Sequence, residues 1–246
     1  MPHFGTKRFS MLKQPLAIML KHLLATLPLA VLLGACADPA QEATEAVTAA
    51  FGPKGTTEIS EIEQYPSGVL CGMYERFDRW GESSSKRRFV YVDGEARVRP
   101  SREDLAVYCA ENPKQVVEAM LGIPVSGDSA AHTARAAADM AMLAATLERY
   151  YMENGGYPST EQGLASLVSK PESAKPLDNY PEGGYLEALP KDPWNRPYVY
   201  EGPAWGGVRS PYQLQTYGAD GKPGGSGPDA DIRSDKLEYL AFAAGL

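Results

Sequence analysis

Apolar and polar residues follow two different periods along this chain, and the change of period divides it. Val69-Leu70-Cys71-Gly72-Met73-Tyr74 and Arg88-Phe89-Val90-Tyr91-Val92 are short apolar and aromatic runs that predict strands. Asp93-Gly94 offers a hairpin turn into Glu95-Ala96-Arg97-Val98. Pro100-Ser101-Arg102-Glu103-Asp104-Leu105 begins a helix that carries Cys109; Pro113 breaks the pattern, and Val116 to Leu121 resumes it. Further on, Met140, Leu143, Leu147, Tyr150 and Tyr151 recur at spacings of three and four. That spacing predicts a helix capped by Asp128 or Ser129, running through Glu153 and stopped by Asn154-Gly155-Gly156. Ser159 with Gln162 three residues on predicts a capped short helix to Val168. Residues 197–201 and 212–216 alternate as strands do. Helices and hairpins in separate stretches point to an α+β fold.

The first 35 residues are patterned differently. Lys7, Arg8, Lys13 and Lys21 stand without any acidic residue, and an uncharged run of 15 residues extends from Leu23 to Ala37. A basic stretch, an apolar core and small residues before a cut describe a secretory signal. A membrane-spanning helix competes, but it needs about 20 apolar residues, and Pro28 interrupts this run. Leu33-Gly34-Ala35-Cys36 resembles the bacterial lipobox, which implies cleavage before Cys36 and its lipidation. Met19-Leu20-Lys21-His22 would also begin a compact leader of this kind. Ala37, where an aspartate would signal inner-membrane retention, implies the periplasmic face of the outer membrane.

Charge and composition then narrow the chemistry. The net charge is −7, and it becomes −11 once a leader with four basic and no acidic residues is removed. An acidic chain lacks the basic footprint of a nucleic-acid binder. Only His132 remains of three histidines, which leaves little for histidine catalysis or a zinc site. With Cys36 committed to lipid, Cys71 and Cys109 remain in an oxidising compartment, where a disulfide is the natural outcome. It would stabilise by about 4 kcal/mol on a chain-entropy estimate. A catalytic cysteine is the competing reading, but no histidine lies near either one in sequence.

Residues 36–48 read as the lipidated cysteine and a tether poor in apolar side chains. Residues 49–125 read as a small two-cysteine α+β module, and Pro124-Val125-Ser126-Gly127-Asp128 marks the boundary to a second module, 126–246. The span from Val69 to Cys109 loosely resembles a small two-cysteine domain of bacterial envelope proteins, a resemblance that carries no activity. Lys86-Arg87-Arg88 with Arg97, Arg99 and Arg102 is the one basic concentration. It reads as a solvated face paired with Glu75, Asp78 and Glu95 more readily than as an acidic-partner contact. His132, in the first turn of the long helix and beside no acidic cluster, reads as a surface residue.

The segment from Asp220 to Asp231 holds three aspartates, glycines 221, 224, 225 and 227, and two prolines. It cannot hold its shape by burial, and gathering three carboxylates is unfavourable without a cation. A hard ion with six to eight oxygen ligands would satisfy both problems, which favours calcium. A bare solvated turn is equally compatible with the charge density alone. Lys222 and Gly224 at the third and fifth positions exclude an EF-hand.

Read in order, the second half presents Glu153-Asn154-Gly155-Gly156-Tyr157-Pro158, then Asn179-Tyr180-Pro181-Glu182-Gly183-Gly184-Tyr185-Leu186. Leu189-Pro190-Lys191-Asp192-Pro193-Trp194, Arg196-Pro197-Tyr198-Val199-Tyr200, Tyr217-Gly218-Ala219-Asp220-Gly221-Lys222 and Asp229-Ala230-Asp231-Ile232 follow. In this order the blocks, over about residues 129 to 234, resemble the soluble domain of the type II secretion major pseudopilin, protein G. The resemblance implies a helix packed on a small antiparallel sheet with a calcium loop near the end. It implies side-chain ligands at Asp220, Asp229 and Asp231 and backbone oxygens from Tyr217 and Lys222. A member of that family begins with a short basic leader, a prepilin peptidase site and a long apolar helix bearing a glutamate at its fifth position. A lipobox and the two-cysteine module stand in their place, so a standard fibre subunit is not expected.

The expectation is a non-catalytic, lipid-anchored envelope protein with a calcium-stabilised pseudopilin-like domain. Its partners would be the membrane, through the anchor, and type II secretion components such as pseudopilins or the secretin side. Nucleic acid and small-molecule substrates are not expected. The alternative is a generic binding or scaffolding lipoprotein that reuses the fold without a role in secretion. An enzyme is disfavoured because nucleophile elbows, phosphate loops and His/Cys metal spacings are missing from the sequence.

Overall fold

The structure, a computed structural model, describes residues 38–172, 176–203 and 212–245. Cys36 and the leader lie outside the described residues. Helix α1 (Pro39–Ala49) starts where Asp38 accepts the Ala40 N–H at 3.0 Å and Pro39 enters the first turn. Ala43 and Val47, one helical turn apart, are fully buried. Residues 39–48 are thus a docked helix where a loose tether was expected. The alanines and glutamates that make the segment look unstructured are strong helix formers. Its apolar stripe is only two small residues wide.

Strands β1 (Thr56–Gln64), β2 (Leu70–Phe77), β3 (Arg87–Val92) and β4 (Glu95–Arg97) form an antiparallel sheet in chain order. Alternation sorts its two faces. Leu70, Tyr74 and Phe89 pack with Ala43 and Val47 of α1, while Cys71, Val90 and Val92 face the main core. The polar edge strand β1 has no counterpart in the sequence reading, and its register slips between Ser60 and Glu63.

Ser101 opens α2 (Arg102–Tyr108) with a reciprocal capping box to Asp104, and Asn112 with Pro113 opens α3 (Pro113–Leu121). A disulfide joins Cys71 on β2 to Cys109 at the end of α2, with Cα atoms 6.0 Å apart. The predicted long helix is α4 (Ala130–Asn154), ended by Gly155. Ser159 and Gln162 do exchange their capping hydrogen bonds at 2.9 and 3.2 Å. The expected short helix is nevertheless a 3-10 turn, Leu164–Leu167, because Gly163 interrupts the run. A second antiparallel sheet contains β5 (Val199–Glu201), β6 (Gln213–Thr216) and β7 (Ile232–Arg233). Helix α5 (Leu237–Ala244) closes the described chain.

The two-cysteine segment and the pseudopilin-like segment share one core. Val69, Cys71, Val90, Val107 and Val117 belong to the same buried cluster as Met140, Leu143, Leu147, Leu214 and Leu240. Helix α5 mediates much of this, lying against both α3 and α4. The Tyr108 ring meets Phe242 edge-on with centroids 4.7 Å apart. Among the described residues, no helix is long and apolar enough to cross a membrane.

Candidate metal centre

The acidic loop is strung between β6 and β7, whose pairing of Thr216 with Ile232 holds its two ends side by side. Inside it the Ala219 N–H donates to the Pro228 carbonyl at 2.8 Å and the Gly221 N–H to the Tyr217 carbonyl at 3.1 Å. Gly218, at φ 59°, lies so close to the returning limb that a Cβ would sit 2.5 Å from the Asp229 carbonyl carbon. Only glycine allows that closure.

The predicted ligands occupy this closed loop in different states. Asp220 Oδ1 accepts the Lys222 N–H at 2.9 Å, and Asp231 Oδ2 accepts the Gly224 N–H at 2.9 Å. Asp229 is exposed at the end of the 3-10 turn Gly227–Asp229. Asp231 Oδ1 is buried and has no hydrogen-bond partner. Among the described residues, no three His, Cys, Asp or Glu form a group that could hold a metal ion, so Asp220, Asp229 and Asp231 are not gathered into one side-chain cluster. The donors in the loop are nevertheless all oxygen, and Asp231 Oδ1 is a buried acceptor left open to a further partner. The residues fit a hard ion that draws part of its shell from carbonyls.

A second layer supports the loop, and the sequence reading missed it. Asp192 is 2% exposed. Its Oδ1 accepts the N–H groups of Trp194 and Arg196 at 3.0 and 2.7 Å, and its Oδ2 accepts the Thr216 hydroxyl at 2.6 Å. The Arg196 guanidinium reaches Asp192 Oδ2 at 3.5 Å and donates to the carbonyls of Gly218 and Ala219. A signal was available in Asp-Pro-Trp-Asn-Arg, an Asx-type turn that brings its first and last side chains together. The loop also touches the preceding segment, since the Gly227 N–H donates to the Gly122 carbonyl at the end of α3, at 2.7 Å.

Two members of the basic concentration, Arg97 and Lys86, pair with acids, though not the expected ones. Arg97 pairs with Asp104 at 2.8 Å and Glu238 at 3.2 Å, and Lys86 with Glu61 at 3.7 Å. Strand register places Arg97 beside α2 and α5 rather than beside Glu75, Asp78 or Glu95. His132 is exposed and lies beside the Trp194 ring at 5.6 Å.

Residues 125–235 match the family model described as type II secretion system (T2SS), protein G. The type II secretion system core protein G of Pseudomonas aeruginosa is 48% identical over 94 residues, 38% of this chain and 64% of that protein. The protein of the same name from Aeromonas hydrophila is 38% identical over 104 residues, 42% of this chain and 68% of that protein. The chain belongs to the type II secretion protein G family. This member spans 64% of the length of its Pseudomonas relative, and the family model begins at residue 125, after the disulfide-tied segment. A crystal structure of the major pseudopilin from the type 2 secretion system of enterohaemorrhagic Escherichia coli aligns at 35% identity. That alignment covers 42% of this chain and 86% of the other, with a TM-score of 0.36.

Proposed function

We propose that this chain is a non-catalytic, lipid-anchored envelope protein that works with the type II secretion machinery through its protein G-like domain. The observation that carries this reading is the family match over residues 125–235. Cys36 supplies the anchor, and the outer membrane's periplasmic face is its location. Partners are pseudopilins or secretin-side components that meet the protein G-like domain. Calcium completes the acidic loop: the side chains of Asp220, Asp229 and Asp231 and the carbonyls of Tyr217 and Lys222 hold it. The ion would supply positive charge to the open Asp231 oxygen and draw the remaining donors around it.

The disulfide-tied segment stands where the family's apolar helix would lie. It makes the protein an accessory to the apparatus rather than a repeating fibre subunit.

The test is a deletion strain complemented with wild-type protein or with Cys36→Ser. Deletion impairs export of secreted substrates, cross-linked wild-type protein captures pseudopilin or secretin-side components, and Cys36→Ser moves the protein out of the membrane fraction. Normal secretion in the deletion strain contradicts the secretion role and leaves the scaffolding alternative in its place.

A further inference from the structure

We infer that Arg196 is a positioning residue that shapes the acidic loop before any ion arrives. Its guanidinium forks onto two consecutive carbonyls, those of Gly218 and Ala219, on the strand side of Asp220. Accepting from one guanidinium fixes both peptide planes leading into Asp220. Gly221, at φ 70°, leaves the space that the guanidinium fills, because a Cβ there would overlap Arg196 Nη1. The arginine itself is fixed from behind. Asp192 accepts its backbone N–H at 2.7 Å, faces its Nε at 3.5 Å and holds Thr216 at 2.6 Å. One buried carboxylate therefore ties the Trp194 turn, the end of β6 and the arginine together.

The same carboxylate solves an electrostatic problem. A bare guanidinium beside a dication site would oppose binding. The Asp192 side chain, 1% exposed, faces that charge at 3.5 Å, while the arginine side chain remains 34% exposed to water. The pair holds the loop geometrically without presenting net positive charge to the ion. The part of this inference that concerns affinity rests on the calcium reading above; the part that concerns loop order does not.

Hydrogen exchange in chelator, with calcium calorimetry on the same mature protein, tests it. Arg196→Lys keeps the charge but loses the fork, and Arg196→Gln loses both. In chelator, the amides of Ala219, Lys222 and Gly224 should exchange about tenfold faster in either variant, with Leu143 and Leu147 unchanged. Calcium should bind about tenfold more weakly to both.

Unchanged loop exchange overturns the inference. Faster exchange at Leu143 and Leu147 as well would make Arg196 a general support and also overturns it. Tighter calcium binding in Arg196→Gln would make the guanidinium only a repelling charge, with the same consequence. Wild-type protein that takes up no calcium, with loop exchange rising as expected, refutes the calcium reading and supports the clamp.

Discussion

Asp104 ties elements from both halves of the chain together. It is 9% exposed and accepts the Ser101 N–H at 2.8 Å, Arg97 Nη1 at 2.8 Å and the Tyr239 hydroxyl at 3.1 Å. Burial works to raise its pKa, but Ser101, Tyr239 and Arg97 outweigh burial and hold the carboxyl below its ordinary value. A carboxylate with a depressed folded pKa adds stability above its unfolded pKa and loses that contribution as pH falls through the folded one. Asp104→Asn should therefore destabilise by roughly 1.5–3 kcal/mol at pH 7. The gap between variant and wild type should narrow as urea titrations are taken down toward pH 3. An equal gap at both pH values would mean that the ionised form contributes nothing. The helix start at Ser101 was legible in the sequence, though its cap to Asp104 was not singled out; the Tyr239 hydroxyl, 135 positions away, carries no local signal.

At the scale of elements, legibility followed the width of the apolar stripe. Helix α4 buries Met140, Leu143, Leu147 and Tyr150 along one face, a periodicity too long to mistake. Strands β2 and β3 each carry buried apolar residues and read correctly from composition. Strand β1 packs Ile59 and Ile62, three residues apart, in one cluster, because the irregularity between Ser60 and Glu63 interrupts its alternation and so hides the period. Helix α5 is short, and it takes its place from α3 and α4 rather than from its own pattern. Helix α1 is the sharpest case, because Ala43 and Val47 are its only fully buried residues and Ala40 adds just a partial contact. Val47→Ala should lower unfolding stability by roughly 2 kcal/mol, from two buried methyl-sized losses plus a cavity. A change within about 0.5 kcal/mol, as for an exposed site, would mean that residues 39–49 hang free.

Across the whole molecule, the disulfide-tied segment and the protein G-like domain are one packed body among the described residues, with α5 and the shared core between them. The acidic loop sits on that junction, hooked to Gly122 through Gly227. Its aspartates and glycines were legible because they are contiguous in sequence. Asp192 and Arg196 carried a local signal in their Asx-type turn, but Thr216 did not, because it meets Asp192 only when the Trp194 turn folds against β6. An ion at this loop would therefore stabilise both halves together. The most direct measurement is thermal unfolding of the mature protein in calcium and in chelator. At about a hundredfold excess of calcium over its dissociation constant, binding adds roughly 2.7 kcal/mol. That raises the single melting transition by about 5–10 °C, and Asp220→Ala abolishes the difference. The same melting temperature in calcium and in chelator would contradict the site.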